Sequence, residues 1–208
     1  VVVSLAALTY AFYSLRTASN NLSEAEAYRV SSYQLVMEFR QSTDDLTRMA
    51  RSAVATGLDE YERQYNAVLD IRNGVAARPQ NYHQIYWDLV DPVSPAKPRP
   101  DTNQFVALRD LMKQAGLTET ELQKITEAEK SSNALAEKEL VAMNMAKGKY
   151  RNAEGQFVRS GAPDRDGAIK LLFSDEYQQD KAKVMKPLAE FFSLMEDRVD
   201  RDSKSATA

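Results

Sequence analysis

The chain contains no cysteine. That absence excludes thiolate metal sites, cysteine nucleophiles and a disulfide framework, while leaving the compartment open. Histidine occurs once, as His83, so two-histidine zinc motifs of the HExxH kind are excluded too. Neither a Walker loop, a dinucleotide-binding glycine fingerprint nor a GxSxG elbow is present. There is no basic surplus: 27 Lys and Arg stand against 30 Asp and Glu, a net charge of −3, which argues against a nucleic-acid partner. No catalytic residue, metal site or cofactor is expected, and the chain does not read as an enzyme.

Glycine and proline are scarce at seven each, and five of the prolines (Pro79, Pro92, Pro95, Pro98 and Pro100) fall within residues 75–103. Elsewhere Ala, Glu, Lys, Leu, Gln and Arg dominate, the composition of a helical protein. At 208 residues, one substantial domain is the expected organisation.

Long apolar runs are lacking as well. The longest uncharged stretch is residues 1–15, VVVSLAALTYAFYSL, shorter than the ~20 apolar residues of a full membrane span. It reads as the exit end of a transmembrane helix, with Tyr10, Phe12 and Tyr13 at the membrane–water boundary. The alternatives are a buried core helix or the apolar part of a signal peptide. Residues 16–208 then form the helical domain.

Leu35, Val36, Phe39, Leu46, Met49, Ala50, Ala53 and Val54 recur at three-to-four spacing and mark one buried helical stripe. Over residues 20–57 this helix is about 57 Å long. Glu24, Glu26, Arg29, Glu38, Arg40, Gln41 and Asp44 form its solvated face, and Ser31, Ser32 and Tyr33 would suit packing against a second copy. Gly57 ends the helix, with Asp59 as cap of the next one, which runs to Arg72 before Asn73-Gly74. The proline-rich stretch lies in an insertion over residues 74–117. A short helix is expected over Phe105–Ala115. Thr118 and Glu121 then spell a capping box for a helix reaching about Lys147. A last helix is expected from Asp164 onward, kinked near Val184 by Pro187. Met143, Met145, Met185 and Met195 stand at core spacing. The expected fold is all-α: an elongated antiparallel four-helix bundle with long first and last helices, and a proline-rich insertion after a short second helix.

Arg48 or Arg51, then Thr56-Gly57, then Asp59-Glu60-Tyr61 with Tyr65, resembles the turn of helical sensor domains of bacterial transmembrane receptors. It is similar to the four-helix-bundle ligand-binding domains of methyl-accepting chemotaxis proteins, and to CHASE-type sensors of histidine kinases and cyclases. The resemblance is close over residues 35–65 and extends elsewhere only to helix layout. It implies a homodimeric periplasmic domain held at the inner membrane by flanking helices, binding a small molecule and signalling by helix displacement. The alternative is a ligand-free structural or partner-binding module of a histidine kinase or cyclase, with a periplasmic solute-binding protein as the partner.

Arg48 and Arg51 are three apart on one helix, and Tyr61, Tyr65, Tyr82, Tyr86 and Trp87 would surround them if the insertion folded over the far pole. Such an arginine fork with aromatic walls suits an organic acid. A plainer account pairs the arginines with Asp44 and Asp45 along the helix surface. His83 with Asp88 and Asp91 matches no metal template, and the segment 82–90 can equally anchor the insertion to the bundle.

Overall fold

The computed structural model describes residues 2–207, with side chains over 8–205. The expected transmembrane end at 1–15 therefore lies partly outside the described residues. No helix among them is long and apolar enough to cross a membrane.

The fold is all-α. The first helix, α1 (Val2–Thr56), is a continuous rod of 55 residues, about 80 Å at the standard rise per residue. Its C-terminal half buries Val36, Phe39, Leu46, Met49, Ala50 and Val54, the stripe marked by the apolar spacing. Gly57 ends it with φ +75°, a left-handed position open to glycine at no steric cost. α2 (Asp59–Arg72) returns along α1. Its N-cap is Leu58 rather than Asp59. The Leu58 amide bonds instead to the Thr56 hydroxyl, which leaves the Asp59 carboxylate to pair with Lys147 at 2.9 Å.

α3 (Leu108–Gln114) begins three residues later than expected, because residues 105–107 are held outside the helix against the turn after α2. Gly74, at φ +73°, lies so close to this segment that a Cβ would stand 2.5 Å from the Ala107 amide nitrogen. α4 (Glu119–Ala146) starts with the full Thr118–Glu121 capping box. The connection after it, expected to be merely polar, carries a two-stranded hairpin, β1 (Lys149–Tyr150) with β2 (Arg159–Ser160).

The expected single last helix is two: α5 (Arg165–Leu172) and α6 (Asp175–Thr207). The break falls where Ser174 offers its hydroxyl to the Tyr177 amide, a serine N-cap followed by Asp175 and Glu176 in the first turn. α6 continues uninterrupted through Pro187.

α1, α2, α4 and α6 alternate in direction. Lys147 at the end of α4 meets Asp59 and Glu62 at the start of α2, while Arg198 in late α6 reaches Glu121 at the start of α4. The start of the bundle portion of α1 and the end of α6 thus share one pole, where Arg198 stacks 4.0 Å from the Tyr28 ring centroid. α1 projects past this pole with Leu8, Tyr10, Phe12, Tyr13 and Leu15 exposed.

A polar clasp crosses the bundle interior. Glu139 of α4 is 1% exposed and accepts hydrogen bonds from Tyr65 of α2 at 2.9 Å and Tyr177 of α6 at 2.5 Å. Tyr177 also reaches Thr47 of α1 at 3.0 Å. One carboxylate thereby ties four helices together, and each oxygen is satisfied, the condition for a buried charge to be tolerated.

Candidate ligand-binding site

On α1, Glu38, Gln41, Ser42 and Asp45 follow one another at i, i+3, i+4 and i+7, which aligns them on one face. Three of them are buried: Glu38 (8% exposed), Ser42 and Asp45. The cover is the insertion. Its two limbs are joined by the Arg78 amide to the Gln104 carbonyl, the Thr102 amide to the Arg78 carbonyl and the Gln80 amide to the Pro100 carbonyl. Arg78 points inward and pairs with Glu38 in a buried ion pair. From this stem the segment 82–88 folds back against α1.

Between segment and helix lies a cavity of about 320 Å³, with Met37, Glu38, Gln41, Ser42 and Asp45 on one wall and residues 82–88 on the other. Tyr82, Tyr86 and Trp87 form an edge-to-face trio: Tyr86 and Trp87 have centroids 5.0 Å apart at 82°, and Tyr82 meets Tyr86 at 5.4 Å and 66°. The Trp87 indole donates to the Tyr82 hydroxyl at 2.7 Å. Burial pushes the Tyr82 hydroxyl well up from its ordinary value, more than the Trp87 donor pulls it down. Burial likewise raises Glu38 in spite of Arg78, and Asp45 in spite of Arg48. Among the described residues no group of three His, Cys, Asp or Glu is placed to hold a metal ion.

The residues singled out in the sequence divide into three places. Tyr82, Tyr86 and Trp87 come together in the cavity wall, on the flank of α1 and about three to five turns short of Gly57, not over the pole. Arg48 stands beside the cavity, 2.8 Å from Asp45 and 3.6 Å from Asp88, and does not line it. Arg51 is elsewhere: it donates to the Leu172 carbonyl at 2.7 Å and sits 4.1 Å from the Phe173 ring centroid, capping α5 where that helix breaks. The expected fork does not form, because positions three apart differ by about 60° around the helix. That separation suffices for one arginine to face the insertion and the other the α5–α6 joint. Tyr61 packs half-buried against the core. Tyr65 is fully buried with its hydroxyl committed to Glu139, so it belongs to the clasp.

Glu38, Gln41, Ser42, Asp45 and Asp88 were missed as site residues. The helical spacing of the first four was a readable signal, but a polar stripe looks the same whether water or a folded-back loop covers it. His83, set aside as a metal ligand, lines the cavity from the loop side. No protein-family model matches the sequence, and no curated protein or solved structure matches it.

Proposed function

We propose that this chain is an extracytoplasmic sensor domain of a transmembrane receptor of the chemotaxis type, which takes a small organic molecule between its insertion and α1. The observation that carries the reading is the composition of the cavity: one wall belongs to the long helix and the other to a loop pinned to it. An occupant touching both walls favours one placement of loop and helix over others, and so biases the packing of α1 against α6. The exposed Leu8, Tyr10, Phe12, Tyr13 and Leu15 beyond the α6 end support setting that pole against lipid, with the domain in the periplasm as a homodimer.

A second reading has its own support. The insertion leaves Ile85, Leu89 and Val93 exposed, Val93 at 82%, and apolar side chains on a loop suit a protein partner, such as a periplasmic solute-binding protein.

Thermal melts against organic acids, amino acids and amines separate the two, since a ligand that binds only the folded state raises its melting temperature. The sensor reading expects a compound whose effect disappears in Trp87→Ala. That compound should also change the distance between spin labels at Asn21→Cys and Ser205→Cys, in a chain that otherwise lacks cysteine. If no compound stabilises the protein, the partner reading stands instead.

A further inference from the structure

We infer that the cavity selects a small organic cation, an amine or a quaternary ammonium, and not an organic acid; this rests on reading the cavity as a ligand site. Its walls present three carboxylates, Glu38, Asp45 and Asp88, and three aromatic rings, Tyr82, Tyr86 and Trp87. No lysine or arginine is among the residues that line it. Two guanidiniums stand next to the carboxylates, Arg78 on Glu38 and Arg48 between Asp45 and Asp88. With all three carboxylates ionised, they outnumber the two guanidiniums by one.

Near-perpendicular rings beside carboxylates are the arrangement that binds ammonium groups, because the negative face of each ring attracts a cation that has given up its water. Tyr82 already has the Arg78 guanidinium 5.8 Å from its centroid. A carboxylate in the same space would face three of its own kind, and like charges brought together in a partly dry cavity repel strongly. A divalent metal ion is no better served, since no three-ligand group is present among the described residues. The volume falls at the small end for ligand sites, which fits a compact ammonium compound. One feature points the other way: Nε and Nη2 of Arg78 are buried with no hydrogen-bond partner and would accept an anion. Arg78 is not part of the lining, however, and its guanidinium is already paired with Glu38.

The test is calorimetry and thermal melting of the full chain with choline, tetramethylammonium and putrescine, set against acetate and succinate at matched ionic strength. At a concentration about a hundredfold above Kd, a bound cation is expected to raise the melting temperature by about 5 to 10 °C. Trp87→Ala should abolish the effect and Trp87→Phe retain most of it. Asp88→Asn, at an exposed position, should weaken binding by about three- to tenfold. Stabilisation by acetate or succinate that Trp87→Ala removes would overturn the cation assignment while leaving the ligand-sensor reading intact. Cation binding that survives both Trp87→Ala and Asp88→Asn would place the cation elsewhere and overturn it as well. No response to choline, tetramethylammonium or putrescine would also overturn it, and the small-ligand reading then falls only if the wider panel of organic acids, amino acids and amines fails as well.

Discussion

Tyr177 on α6 donates its hydroxyl to Glu139 on α4 at 2.5 Å, with the phenol ring and the carboxylate both closed off from solvent. This pair, joined by Tyr65, sets a carboxylate where the bundle is driest. Burial raises the Glu139 pKa, more than the hydrogen bonds from Tyr177 and Tyr65 lower it, and the two tyrosines are raised in turn by burial and by that neighbouring charge.

The consequence for stability has a definite sign. The folded protein holds the Glu139 proton more tightly than the unfolded chain does. The contribution is therefore complete below the ordinary carboxylate value of 4.5 and is lost as pH rises through the higher folded value. Glu139→Gln cannot titrate, so above pH 4.5 its urea-melt stability should fall less with rising pH than that of the wild type. The two slopes should differ by up to about 1.4 kcal/mol per pH unit. Glu38 and Asp45 share the direction of shift and are common to both proteins, so they cancel in the comparison. Equal slopes would show that Glu139 is ionised in both states.

Arg78 fastens the insertion. Arg78→Ala leaves Glu38 buried without its partner, a loss of about 3 to 5 kcal/mol for a closed pair, and the insertion should come away before the bundle unfolds. The sole tryptophan reports it: Trp87 emission should shift to the red and chymotrypsin should cut faster at Tyr82 and Tyr86, with helical circular dichroism nearly unchanged. Unaltered Trp87 emission would mean that the aromatic trio holds the loop by itself.

Two glycines of the insertion share a left-handed backbone and differ in surroundings. Gly116, at φ +86°, has open space where a Cβ would be, whereas at Gly74 it would strike the backbone of residues 106–107. Gly116→Ala should cost about 1 kcal/mol from backbone strain alone, and Gly74→Ala about 3 kcal/mol. Chemical denaturation of both variants checks the order, and equal losses would show that the 105–107 segment yields easily.

Local signals carried the fold. The stripe from Val36 to Val54, the Gly57 and Gly74 stops and the Thr118–Glu121 box each act within a few residues, and each stands where the spacing put it. The α5–α6 break was hidden because Ser174 reads as an ordinary helix residue until Arg51, distant in sequence, engages the Leu172 carbonyl. The candidate site was legible on one side only. Tyr82, Tyr86 and Trp87 stood out as a dense aromatic run, but where they dock depends on Arg78 finding Glu38 across 40 positions of chain. That pairing moved the site from the pole to the flank of α1. It also exchanged the expected arginines for carboxylates.

The bare end of α1 has a mechanical consequence. Among the described side chains of that helix Ala25 is the first to be buried, and residues 8–20, before the α6 neighbours of Asn21, extend about 20 Å. A tilt of a few degrees at this fulcrum swings the far tip through ångströms, so the same rod that forms half the cavity is also a lever that enlarges whatever small shift occurs there.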